Sequence, residues 1–370
     1  MGGEEEHSPT KERTRMTTQR TESDAIGSKK IPRDAYTGIF YARAKENFSI
    51  STYRMPRAFY QNIALLKKIA AREHTHAGRL EPKVGRAIES AAQELYKGKL
   101  LEHIDLDVFQ AGAGTPMNMA VNEIIANRAL EKLHERKGKY ALIHPNTHVN
   151  MMQSTNDVIP TALRLTLVNY HEALEKQLVQ TIHATETLSK KYSKTLKTGR
   201  THLQTAVPVT FGQELYTYAQ SLRDALAKLR LACHALYELP IGGTATGTGI
   251  TTEPGYDVKI VSRIKKETRH PFFPSHRKMF HTSHVSVFTH YANALDELAE
   301  ELQIWTNDWV VLGSDPASGI GEIRLPEAEP GSSIMPGKVN PSILEALKMI
   351  CLHVHGSTET IHACAESTQL

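Results

Sequence analysis

Between Thr161 and Thr198 the chain runs 38 residues without a glycine or a proline. A helix over that run would reach ~57 Å at 1.5 Å per residue. A rod of that length cannot bury its apolar stripe inside one small domain, which narrows the fold more than any other feature of the sequence. Two further runs behave alike. Gln213–Leu239 has no breaker, and Met279–Leu312 carries Phe288, Tyr291, Leu295, Leu298, Leu302, Trp305 and Trp309 at i+3 and i+4 spacing. Such rods need one another in a bundle, and beyond it other copies of the chain. Strand-like alternation is scarce, confined to short pieces near Ile323–Leu325 and in the first 40 residues. The expected class is mainly α.

Composition closes off several functions. The 370 residues are 40% apolar and 23% charged, with 44 basic against 40 acidic residues for a net charge of +4. That small excess, without a basic run, gives no footprint for nucleic acid, whereas a small anionic substrate fits it. No apolar run approaches the ~18 residues of a membrane span. Cys233, Cys351 and Cys364 are odd in number and far apart, as expected of unpaired thiols in a reducing, cytoplasmic location. Residues 1–24 are polar and charged and lack a signal-type apolar core, so they are expected to be a disordered tail. A mainly helical N-terminal domain is expected over 25–153 and the long-helix bundle over 154–370. The abrupt end at Leu370 is expected of a truncated chain, with a frayed final helix as the alternative.

The polar, breaker-rich segments lie between the rods, at Gln110–Asn118, His144–Asp157, Gly199–Thr210, Gly242–Thr252 and Gly313–Pro341. Antiparallel packing would bring them together at one end of a bundle, and loops on a rigid scaffold are where chemistry concentrates. In "PGSSIMPGKVNPS" (Pro330–Ser342), Asn340 before Pro341 has the form of a helix N-cap with proline at the first helical position, which would set Lys338 and Asn340 at an anion-favouring helix start. A mobile spacer whose serines cap turns explains the same residues equally well. Ser154, Thr155, Asn156 and Asp157 precede the longest rod, where one cap needs only one of them. His144 and His148 are spaced i, i+4, but no third ligand stands at a recognisable spacing, so zinc is not expected. "GRTHLQTAVP" offers Arg200, Thr201 and His202. "GGTATGTG" (Gly242–Gly249) follows a helix and has the wrong spacing for a dinucleotide loop.

Taken together, "GAGTPMNMAVNEIIANRA", "HPNTHVNMMQSTNDV", "GRTHLQTAVP", "GGTATGTG" and "GSSIMPGKVNP" resemble, in order, the aspartase/class II fumarase superfamily, and the likeness runs over nearly the whole chain. The resemblance implies a mixed N-terminal domain, a long-helix bundle that forms the core of a homotetramer, and a small C-terminal helical domain expected to be absent here. It implies active sites shared by three subunits and a mobile serine loop at 327–341. Residue by residue, Ser332 matches the general base. Ser333, Thr115, Ser154 and Thr155 match groups holding the carboxylate beside the reacting carbon. Asn156, Lys338 and Asn340 match groups for the other carboxylate and the leaving group. His202 matches an active-site histidine and Glu345 its acidic partner, with Thr201 among the substrate-binding residues. His144 and Asn146 match a second anion site.

The chemistry that the resemblance implies accounts for these residue types. A weakly acidic proton beside a carboxylate is removed, then ammonia or water leaves. Neutral hydroxyl and amide donors aimed at the charged intermediate stabilise it. A serine needs a desolvated, cationic setting to ionise, which Lys338 and loop amides are expected to supply. No metal or organic cofactor is required. "QAGAGT", "PNTHVN" and "QSTND" lean to aspartate ammonia-lyase, with Thr147 and Thr155 where fumarases carry an acid and a serine. "LPEAEPGSSIMPGKVNP" and "GGTATGTG" lean to fumarase. Pro116 and Ala120 depart from the family pattern beside Thr115. Elimination of ammonia from L-aspartate is the first expectation and fumarate hydration the alternative. A structural or binding relative that keeps the fold is the alternative of another class.

Overall fold

The computed structural model describes residues 19–368. The chain divides between Thr155 and Asn156 into two compact units, two residues beyond the expected boundary.

The first unit opens with an antiparallel hairpin, β1 (Gln19–Asp24) and β2 (Gly27–Pro32). The last six residues of the expected tail are therefore a strand, and residues 1–18 lie outside the described residues. Helices α1 (Ile39–Asn47), α2 (Arg57–His76), α3 (Pro82–Tyr96) and α4 (Thr115–Lys132) follow. Ile63, Leu66, Ile88, Leu95, Val121 and Ile124 are buried at helical spacing and form the core between α2, α3 and α4. The start of α1 is tied to α4 by one side chain. Glu123 accepts from the N–H groups of Gly38 (2.9 Å), Phe40 (2.8 Å) and Tyr41 (3.1 Å), while Glu22 accepts from Ile39 at 2.8 Å. Gly38 is required there, because a Cβ would lie 2.7 Å from Glu123, Glu22 and Tyr140 alike. Burial raises the Glu123 carboxyl to about 7, opposed by the three amides and aided by the charge of Glu22.

The second unit is built on α5 (Thr155–Lys191), 37 residues and ~55 Å long. Next come the hairpin β3 (Leu196–Thr201) and β4 (Gln204–Thr210), then α6 (Phe211–His234). A capping box starts α6: Thr210 accepts from the Gln213 N–H at 3.1 Å and Gln213 accepts from the Thr210 N–H at 2.9 Å. A parallel pair of two-residue strands, β5 (Glu238–Leu239) and β6 (Phe273–Pro274), brackets α7 (Tyr256–Thr268). Then come α8 (Lys278–Ser283), α9 (Ser286–Leu312) and α10 (Ser342–Glu366). Helix α9 packs on α6 and α10. Leu215, Leu222, Leu226 and Leu229 of α6 are buried with Tyr291 and Leu298 of α9, and Tyr218 stacks on Trp305 at 5.4 Å.

Four expectations are corrected. The run to Thr198 is not one helix, since α5 ends at Lys191 and Leu196–Thr198 enter β3. The run from Met279 breaks at His284, between α8 and α9. Gly199–Thr210, expected as a loop, pairs as a hairpin. Ile323–Leu325 is not a strand: the Glu322 and Ile323 N–H groups turn back onto the Leu312 carbonyl at the end of α9 (2.8 and 3.2 Å). Among the described residues no helix is long and apolar enough to cross a membrane.

Candidate functional site

The first unit supplies Thr115, His144, Asn146, Ser154 and Thr155. Thr115 is the first residue of α4, after Gly114 at φ +78°. Ser154 and Thr155 sit at the start of α5, half-buried above a polar core that the sequence reading missed. Lys67 is fully buried on α2 and donates to Asn150 Oδ1 (2.6 Å) and Gln153 Oε1 (3.0 Å). Asn118 of α4 donates to Asn150 Oδ1 and to Thr155 Oγ1, both at 3.3 Å, and Asn122 to Asn150 Oδ1 at 3.3 Å. Hydrogen bonds from buried polar groups fix a segment more firmly than a solvated loop would be. The available signal was "NMAVN", two asparagines at i, i+4 on an otherwise apolar helix face.

His144 and His148 belong to a single turn of π-helix at Pro145–Val149. Nδ1 of His144 accepts from the Asn146 and Thr147 N–H groups (3.1 and 3.3 Å), and Nδ1 of His148 accepts from the His144 N–H at 2.9 Å. A nitrogen that accepts carries no proton, so both rings are Nε2–H neutral tautomers. Burial lowers both pKa values, and for His148 the neighbouring His144 lowers it further. In the proposed second anion site, the amides of Asn146 and Thr147 are therefore already committed to His144.

The second unit supplies Asn156, Thr201, His202, Ser332, Ser333, Lys338, Asn340 and Glu345. His202 and Leu203 form a two-residue hairpin turn with φ +51° and +60°. Both are left-handed where asparagine and glycine are usual. The turn presents His202 at a cleft of about 550 Å³ that Lys197, Arg200, Tyr218 and Asp308 also line. Glu322 holds both basic groups, at 2.9 Å from Lys197 and 2.6 Å from Arg200.

In the serine loop, Ser332 Oγ accepts from the N–H groups of Ile334 (3.3 Å) and Met335 (3.1 Å). The base of the loop is closed by Gly331 N–H to Lys338 O (2.8 Å) and Asn340 Nδ2 to Gly331 O (3.2 Å). Asn340 is thus not an N-cap. Helix α10 begins at Ser342 with Pro341 in the N-cap position, so it has no side-chain cap, and the Asn340 Nδ2 reaches across the loop to Gly331 O. Ser333 and Lys338 are exposed. Glu345 lies exposed in the first turn of α10, and among the described residues it makes no hydrogen bond or ion pair to His202. Among the described residues, no group of three or more His, Cys, Asp or Glu side chains is arranged to hold a metal.

Comparison with known proteins places the chain. The profile of a lyase family matches residues 27–356. A class II fumarate hydratase from Pseudomonas aeruginosa is 42% identical over 352 residues, 95% of this chain and 76% of the relative. An aspartate ammonia-lyase from a Bacillus species is 38% identical, covering 95% of this chain and 75% of the relative. The crystal structure of a fumarate lyase:delta crystallin from Brucella melitensis bound to cobalt superposes with a TM-score of 0.91 at 40% identity, over 95% of this chain and 77% of that one. The chain belongs to this lyase family, within the aspartase/class II fumarase superfamily, and has its mainly α long-helix fold.

Proposed function

We propose that the chain is a class II fumarate hydratase, interconverting fumarate and L-malate. The observation that carries the reading is the setting of Ser332. Two backbone N–H groups point at its Oγ, and such donors stabilise negative charge on that oxygen more than on a neutral hydroxyl. Ser332 takes the carbon-bound proton beside one carboxylate of malate. Ser333, Thr115, Ser154 and Thr155 hold that carboxylate as it gains charge, and Thr201 contributes to substrate binding. Asn156, Lys338 and Asn340 hold the other carboxylate, and His202 with Glu345 handles the departing water.

The leaving group is drawn from the relatives. Those named fumarate hydratase reach 40–42% identity, above the 38% of the ammonia-lyase. Thr155, a sequence marker for ammonia loss, accepts from Asn118 Nδ2 at its hydroxyl oxygen and keeps its O–H for the carboxylate, as a serine in its place would, so the difference between the two bears little on the leaving group. Elimination of ammonia from L-aspartate is the second reading, favoured by Thr147, which is exposed on the π-turn.

The sites are completed by other subunits of a homotetramer. Exposed apolar side chains on the long helices support this. Leu231 is 77% exposed, Met349 65% and Ile350 60%, a pattern that marks association surfaces. The test is ultraviolet absorbance of fumarate with L-malate and L-aspartate supplied separately. Fumarate from malate alone supports hydration, and fumarate from aspartate alone replaces it with the second reading.

A further inference from the structure

The glycine-rich segment Gly242–Gly249 has no part in the reaction described so far, yet one of its residues is constrained in two ways at once. Thr244 is β-branched and lies at φ +57°, a region such residues rarely adopt. It is 3% exposed, and among the described residues its Oγ1 has no hydrogen-bond partner. Two unfavourable features on one residue persist only where the surroundings impose them, and they concentrate at functional sites.

The imposing group is Asp157, fully buried in the first turn of α5. Its Oδ2 accepts from the Gly242 N–H at 3.1 Å and the Thr244 N–H at 2.9 Å. Gly242 cannot be replaced in this arrangement, since a Cβ there would lie 2.8 Å from Asp257 Cβ and 3.2 Å from its Cα. The loop so held aims the next carbonyl, Ala245 O, at Asn156, whose Nδ2 donates to it at 2.8 Å. A carbonyl only accepts, so this contact fixes which end of the Asn156 amide is nitrogen and how its plane lies.

We propose that Asp157 and the strained loop Gly242–Ala245 are positioning elements for Asn156, setting the amide that meets the substrate's second carboxylate and leaving group. The inference rests on the lyase reading for its substrate but not for its geometry. Adjacent residues at a helix start thereby act through a loop almost ninety residues away, which explains why four polar residues stand at Ser154–Asp157 where one cap would suffice.

A double-mutant cycle in the full chain tests it. Asp157→Asn is expected to lower kcat/KM roughly 10- to 100-fold in the parent, and less than about 3-fold in an Asn156→Ala background, because the group it positions is gone. Equal losses in both backgrounds would overturn the proposal, as would no loss in the parent. If Asp157→Asn does not fold, Thr244→Gly serves, since glycine keeps the N–H to Asp157 but frees the backbone of the loop that aims Ala245 O at Asn156. Its several-fold loss should likewise vanish without Asn156, and an equal loss in both backgrounds, or none, overturns the proposal. A parent chain silent on malate, fumarate and aspartate would refute the lyase reading instead. Positioning is then read from the Asn156 side-chain amide NMR signals, where the N–H bonded to Ala245 O has a shift set by that contact and should move towards that of a solvated amide in whichever of the two variants folds. Unchanged signals overturn it.

Discussion

Glu123→Gln should change the pH dependence of stability in a way that no surface substitution does. Glu123 is almost wholly removed from water, and its carboxyl is raised from 4.5 to about 7. The native state therefore holds this proton more tightly than the unfolded chain does. Its contribution is complete below pH 4.5, falls away as the pH rises through about 7, and is constant above. At 1.36 kcal/mol per decade the loss is about 3 kcal/mol. Glutamine is permanently neutral and lacks the term. Any packing cost of the amide adds a constant, so the slope rather than the offset is diagnostic. Urea unfolding of both proteins from pH 4 to pH 8 should show the variant gaining about 3 kcal/mol relative to the parent across that range. Parallel curves would mean that the three amides of α1 fully compensate burial and would refute the assignment.

Glu94 should behave with the opposite sign. Its hydrogen bond and charge pairing with Arg128, joined by Lys132, hold it down at about 2, so its contribution is present above pH 4.5 and lost as the pH falls through about 2. Glu94→Gln should cost about 1–2 kcal/mol at neutral pH and little at pH 2, by the same unfolding measurement. Leu203→Gly should release about 1–2 kcal/mol of left-handed strain and return about 0.5–1 kcal/mol in chain entropy, for a small rise in Tm; a fall would show that this exposed leucine is anchored. Leu222→Ala, at a fully buried position on α6, should cost about 2–5 kcal/mol in urea unfolding.

The helices were legible because glycine and proline punctuate this chain sharply and apolar residues recur at helical spacing between them. What escaped the reading has physical causes. In the β3–β4 hairpin no residue is buried, β4 being mostly exposed and β3 mostly half-buried, so it shows no apolar alternation, and its turn is built on His202 and Leu203 in place of asparagine and glycine. Asn340 has the local form of a cap, but its amide is drawn across the loop to Gly331, a contact nine residues away that spacing alone does not reveal. Candidate site residues were legible from polar surplus and resemblance. Their supports, Lys67, Asn118 and Asn122, were not, because single polar residues inside apolar helices read as noise until the core around them is seen.

The central claim is that Ser332 abstracts a carbon-bound proton. Fumarate formation by Ser332→Ala, followed by absorbance beside the parent chain while fumarate binding is measured by calorimetry, tests it directly. The account predicts that turnover falls at least ~10²-fold with binding within a few-fold of the parent. Turnover equal to the parent's would contradict it.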